Sequence, residues 1–292
     1  MVFGLFLCVL TAFCWGSTSF LLRGIKSLNA SEMSFMRASG GLLCGLFLLI
    51  FMHRQLASTL TPAEILIFIA LVLCNNVIGD VFLFFALQRL GVARGASIAS
   101  AYPIPVAIAS YLFFGAELSL PVICGTLSVV AGISCLCHTE KSVSSLSVTW
   151  IVCAVLACFF WAAGFLCNKQ LVVLGLSPIT IVLGRGVTFF TIALAVLLAR
   201  LGLARENAGF RSRIHVQDLL RAFIAGVLSL GFGAWLYSLA LEYVSPTVAT
   251  TISASNPMIA AVMAMIIYKE KVHPIQWAGI ALAITGTVLV GL

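Results

Sequence analysis

The chain has 292 residues, 62% of them hydrophobic and 9% charged, with a mean hydropathy of +1.18 and a formal net charge of +7. A soluble core and its polar shell cannot hold that much apolar surface, so a water-soluble domain is excluded and the composition is that of a polytopic membrane protein. The basic residues are spread over short segments between apolar stretches, a pattern of membrane topology that implies no nucleic-acid partner.

A helix needs about 20 apolar residues to cross a bilayer. Ten windows qualify: Phe3 to Leu22, Glu32 to Met52, Glu64 to Leu87, Gly95 to Phe114, Leu120 to Cys137, Val148 to Cys167, Pro178 to Ala199, Asp218 to Leu241, Thr247 to Tyr268 and His273 to Gly291. They are long and apolar on every face, whereas barrel strands would alternate over segments of about ten residues. The expected fold is all-α, with ten transmembrane helices. The first window lacks a basic n-region and is followed by nine similar ones, so it reads as a span of the mature protein and not as a signal peptide. Between the fifth and sixth windows lies a Ser-rich stretch, His138 to Ser147, that divides the chain into a first half, 1–138, a linker, 139–147, and a second half, 148–292.

The two halves are related. Gly233 to Pro257 aligns without a gap on Gly79 to Pro103 at a constant offset of 154, matching Gly79 with Gly233, Ala86 with Ala240, Leu87 with Leu241, Ile98 with Ile252 and Pro103 with Pro257. Such self-similarity half a chain apart is the signature of an internal duplication. Five spans per half is an odd number, so the second copy enters the membrane from the opposite side, and the duplication becomes an inverted repeat of the kind that secondary transporters rock against one another. Loop charges agree. Twelve basic residues follow windows 1, 3, 5, 7 and 9 (Arg23, Lys26, Arg89, Arg94, Lys141, Arg200, Arg205, Arg211, Arg213, Arg221, Lys269 and Lys271), against Arg54 and Lys169 elsewhere. That bias puts the odd loops in the cytoplasm and both termini outside.

Nearly all of the ten cysteines lie well inside apolar windows, where a free cysteine acts as a small hydrophobe and no disulfide framework is expected. Cys135, Cys137 and His138 at the end of window 5 lack the fourth ligand of a closed metal site, so no metal and no cofactor is expected. His53, His138, His215 and His273 all stand at helix ends or in loops, without a catalytic partner. With no HExxH, GxSxG or paired intramembrane carboxylate an enzyme is not expected, and with no P-loop to hydrolyse a nucleotide any transport would be secondary.

Within the spans a few residues stand out. Pro103 and Pro257 each remove one backbone hydrogen bond and predict matching kinks that free carbonyls near the midplane; the other reading is that they merely bend the helices. Small residues around them, Gly95 to Ser100 and Ala249 to Ser255, allow windows 4 and 9 to cross closely. Gly125 and Gly132 in window 5 repeat as Gly279 and Gly286 in window 10, a packing seam for the scaffold or for a homodimer. Asp80, one turn after Asn75 and Asn76, is the sole acid deep in a span. An ionised carboxylate there costs roughly 2.5–3.5 kcal/mol on insertion scales, which points to proton coupling or, alternatively, to a neutral, hydrogen-bonded carboxyl. Ala234 stands at the equivalent position. Arg37 and Arg185, two turns inside windows 2 and 7, either contact substrate or snorkel to the headgroups. Trp15, Tyr102, Trp161, Trp235, Tyr237 and Asn256 are candidates to line a cavity.

In their doubled order these residues resemble the drug/metabolite transporter superfamily, in its ten-helix EamA-type branch. The resemblance rests on Trp15-Gly16 echoed by Trp161, Arg37 echoed by Arg185, Ala86-Leu87 by Ala240-Leu241, Ala99-Ser100-Ala101-Tyr102-Pro103 by Ser253-Ala254-Ser255-Asn256-Pro257, and Glu117 by Glu270. Three features depart from it: Ala30 stands where a proline is usual before helix 2, although Pro178 keeps it in the second half; Gly115-Ala116-Glu117-Leu118 lacks the usual basic residue; and the termini lack charges. The resemblance implies cytoplasmic termini, opposite to the charge count. It further implies a multi-pass protein of the bacterial inner membrane that exports small organic solutes, amino-acid-like, nucleoside-like or drug-like, with the lipid bilayer and a small-molecule substrate as its partners. A non-transporting membrane receptor or assembly factor is the alternative, and it would need neither a polar midplane cavity nor paired kinks.

Overall fold

The computed structural model describes residues 1–22, 25–52, 59–90, 92–136, 148–204, 214–268 and 273–292. The linker 139–147, the pair Cys137 and His138, His53, Glu270 and many of the loop charges (Arg23, Arg54, Lys141, Arg205, Arg211, Arg213, Lys269 and Lys271) lie outside the described residues. Each of the ten windows is helical over most of its described residues, and no strand occurs among the described residues. Seven helices are long and apolar enough to cross a membrane, and three more are shorter apolar helices. The protein is an all-α, multi-pass membrane protein.

The first two windows are α1 (Val2–Leu22) and α2 (Ala30–Phe51). α2 starts without a proline because Asn29 accepts from the Ser31 and Glu32 N–H groups while Glu32 returns a bond to the Asn29 N–H. Such a capping box satisfies the free donors of the first turn, at about 1 kcal/mol for the cap. The third window is α3 (Pro62–Val72), a π-helical turn Leu73–Ile78, and α4 (Gly79–Leu90); the fourth is α5 (Val92–Ala99) and α6 (Pro103–Phe114); the fifth is α7 (Leu120–Leu136). The second half repeats this series. It comprises α8 (Val148–Val173), α9 (Pro178–Ala204), α10 (Val216–Gly226), a π-helical turn Val227–Gly233, α11 (Ala234–Ala240), α12 (Pro246–Ser253), α13 (Asn256–Tyr268) and α14 (Pro274–Val290).

Helical hydrogen bonding breaks just before each paired proline, between α5 and α6 and between α12 and α13. Pro257 has no N–H for the Ser253 carbonyl, and the Asn256 side-chain amide donates to that oxygen instead, at 3.1 Å. The π turns are a finding that periodicity could not deliver. Both windows read as uninterrupted helix, yet Leu73 and Val227, where the wide turns begin, are again 154 residues apart. Where each turn gives way to α-helix stands a glycine, Gly79 or Gly233, against which a tryptophan of the other half is pressed. A Cβ on Gly79 would stand 2.6 Å from Trp161 Cδ1, and one on Gly233 would stand 2.8 Å from Trp15 Nε1. A side chain inserted at the helical ladder is a recognised cause of such distortions.

Packing exchanges the halves. α1 packs on the segments of windows 8 and 9 and α8 on those of windows 3 and 4; α2 packs on α9, and α7 on α14. In the α7–α14 seam a Cβ on Gly132 would lie 2.7 Å from the Gly279 carbonyl oxygen, and one on Gly125 would lie 2.7 Å from that of Gly286. The glycines let the two backbones touch, so this seam is an internal scaffold contact.

Candidate functional site

Where the helix breaks, the π turns and the paired tryptophans converge, residues of both halves line a cavity of about 310 Å³. Trp15 reaches it from α1, Arg37 from α2, Asn75 and Asn76 from the first π turn, Asp80 from α4, Trp161 from α8 and Arg185 from α9. Tyr102 and Asn256 reach it from the breaks before the two prolines. These side chains are repeat partners: Tyr102 and Asn256 are 154 residues apart, as are Asn75 and Ser229, and Asn76 and Leu230, which line it too.

One wall is aromatic. Tyr102 stacks on Phe165 with ring centroids 5.0 Å apart and meets Trp161 edge-on at 5.9 Å, and Trp15 lies 5.7 Å from Phe165. Tyr237, 1% exposed, stands behind this wall, 5.6 Å from Trp15, and does not line the cavity. Trp235 is packed, partly buried, against the same core cluster and does not line it either. The expectation that these two contact a solute is therefore corrected: after the π turn their faces of the span point into the helix packing.

The other wall is polar. The Trp161 indole donates to Asp80 Oδ1 at 3.2 Å, and Arg185 Nη2 donates to Asn76 Oδ1 at 3.1 Å. Trp15 Nε1 donates instead to the Ser229 carbonyl at 3.2 Å. Both guanidiniums act electrostatically on Asp80, yet neither forms an ion pair with it; the ion pair found among the described residues joins Arg221 and Asp218 at 3.7 Å. Arg185 is only 8% exposed, and both arginines line the cavity, so the snorkelling alternative does not hold for them. A second correction concerns Lys169, counted above as a loop charge: it sits within α8 and donates to the Leu241 carbonyl at 2.7 Å, closing the end of α11.

Seven lining residues were not anticipated: Thr18, Leu22, Leu83, Phe84, Phe165, Ser229 and Leu230. Five follow Trp15, Asp80 or Trp161 at helical spacing and so share their faces. The other two are the repeat equivalents of Asn75 and Asn76.

The family model of the EamA-like transporters matches residues 2–137 and again 148–292. The chain belongs to the EamA-like transporter family. It is also similar to an uncharacterised transporter of Archaeoglobus fulgidus, 25% identical over 280 residues that cover 95% of this chain and 94% of that one. A solved crystal structure superposes with a TM-score of 0.81 at 12% identity, covering 99% of this chain and 98% of the other, a likeness of fold. Family membership assigns a membrane transporter with a small-molecule substrate in a lipid environment.

Proposed function

We propose that this EamA-like protein is a secondary active exporter of small organic metabolites in a bacterial inner membrane, working by alternating access around the cavity between its halves. The halves, 1–138 and 148–292 joined by the linker 139–147, act as inverted repeats. The observation that carries this reading is the make-up of the cavity, which is lined by repeat-related residues from both halves and flanked by helix interruptions at equivalent positions. A site at such a seam is covered from alternate sides when one repeat rocks against the other. The interruptions supply the joints, since broken helices bend at less cost than continuous ones. Asp80 is the group available for proton coupling, because it is the one acid among the described residues of the cavity wall. Export is the direction that the family resemblance implies.

Two measurements test the reading. Uptake and efflux of a metabolite panel in vesicles reconstituted with the full chain should show carrier-mediated flux; a protein that moves nothing in either direction is a receptor or assembly factor. Reporters fused after Ala208 and after Leu292 should report opposite sides of the membrane, because three spans separate them. Same-side signals would show that the helices have been miscounted.

A further inference from the structure

Resting on the transporter reading above, we propose that the solute is an organic monoanion, a carboxylate held between Arg37 and Arg185 with a flat apolar body against the aromatic wall. Charge accounting comes first. Among the described residues lining the cavity the ionisable side chains with formal charge are Arg37, Arg185 and Asp80. With Asp80 ionised the wall carries an excess of one positive charge, and with Asp80 protonated an excess of two. With Asp80 ionised one monoanion neutralises the wall, and with Asp80 protonated it halves the excess. A cation would add to the repulsion that the two guanidiniums already exert on each other, and a zwitterion would leave the excess in place.

Hydrogen bonding agrees with the charge. Arg37 has no hydrogen-bond partner among the described residues, and Arg185 has Asn76; the Nε–H groups of both are buried without an acceptor. A guanidinium presents a planar fork of donors that matches a carboxylate, and a buried charge left without a partner is costly. Asp80 does not fill that need: its Oδ1 accepts from the Trp161 indole, and it forms neither a hydrogen bond nor an ion pair with Arg37 or Arg185. An incoming carboxylate would.

The rest of the solute is defined by space. At about 310 Å³ the cavity lies at the small end of ligand pockets, which run from roughly 300 to 1,000 Å³. That suits a solute of about one ring and its acid group. Trp15, Tyr102, Trp161 and Phe165 offer it ring faces and edges.

The test uses four probes that share a benzyl frame: phenylacetate, phenylalanine, 2-phenylethanol and 2-phenylethylammonium. Binding to the purified full chain is followed by quenching of tryptophan fluorescence, which Trp15 and Trp161 report from the cavity wall, and transport is followed in proteoliposomes. Phenylacetate should bind tightest, at least about tenfold ahead of the alcohol and the ammonium and ahead of phenylalanine; one charge-assisted hydrogen-bonded contact is enough for that ratio. Arg37→Gln and Arg185→Gln should each erase most of that preference, Arg37→Lys and Arg185→Lys should restore part of it, and Arg89→Gln, on a residue stacked over Trp150 away from the cavity, should leave it intact. If a glutamine variant does not fold, the lysine variant and the probe ranking in the parent protein still decide. Tighter binding of the ammonium, the alcohol or phenylalanine, or glutamine variants that keep the phenylacetate preference, would overturn the monoanion assignment. So would flux of other solutes with no binding of any probe. Absence of flux for every solute would overturn the transporter reading itself.

Discussion

The third and eighth spans begin as copies and end as different instruments. Each carries a π-helical turn at the same repeat position, a glycine where it gives way to α-helix and a tryptophan from the other half pressed on that glycine. Their side chains part company. The third span presents Asn75, Asn76 and Asp80 to the cavity, whereas the eighth presents Ser229 and Leu230 and has Ala234 in place of the acid. The tryptophans follow suit, since Trp161 donates to a side-chain carboxylate and Trp15 to a backbone carbonyl. Backbone irregularity is thus shared by the two spans, while the ionisable side chain stands on only one of them.

The sharpest way to break this comparison is to remove the acid from the third span. We predict that Asp80→Asn folds and binds solute but loses accumulation driven by a pH gradient by about tenfold or more, while exchange of solute for solute continues, because a nearly isosteric neutral amide cannot carry the proton. Accumulation equal to that of the parent under the same imposed gradient would show that Asp80 is not the coupling group. Next in size comes the scaffold both halves share. Gly279→Val pushes a side chain into the Gly132 carbonyl and the backbone of α7, and should cost about 1–3 kcal/mol of stability, read as a lower midpoint of thermal unfolding in detergent. A change of similar size should follow Gly125→Val, since the seam treats the halves alike.

Smaller effects should fall on the joints. Pro257→Ala lets the Ser253 carbonyl regain a backbone donor and frees the Asn256 amide. Transport should fall several-fold while the amount of protein inserted in the membrane stays near that of the parent, as a straightened helix still spans. Pro103→Ala should behave in the same way, and parental rates in both variants would leave the breaks without a role in transport. The smallest effect compares the tryptophans. Each phenylalanine substitution keeps an aromatic ring but removes the pyrrole part of the indole, and with it one hydrogen bond worth about 1 kcal/mol, so Trp161→Phe should disturb pH-driven accumulation more than Trp15→Phe does. Equal disturbance would mean that Asp80 does not depend on its indole partner.

Much of this was legible in residue order. Apolar length gave the ten helices, because hydrocarbon thickness leaves the chain little choice, and the offset of 154 exposed the duplication. Most of the lining residues were found because polar and aromatic side chains deep in apolar helices are few. Ser229 and Leu230 escaped because one is small and the other apolar; only their alignment with Asn75 and Asn76 marks them. Arg37 and Arg185 stand near helix starts, and position along a helix does not reveal the side toward which a long chain turns. The π turns left no trace in composition. They accompany an indole pressed from the opposite half, and a local propensity cannot register a neighbour 82 or 218 residues away.

The glycine seam between α7 and α14 has a further consequence. Exchanging the halves carries Gly125 onto Gly279 and Gly132 onto Gly286, at the same offset of 154, so the contact of Gly125 with Gly286 turns into that of Gly279 with Gly132. The seam is self-complementary, with the isologous form that two separate subunits would adopt around a two-fold axis. A surface of this kind needs no covalent tether to find its mate. Residues 1–137 and 148–292 produced as two polypeptides in one membrane should therefore associate through it, which co-purification of one with the other would check.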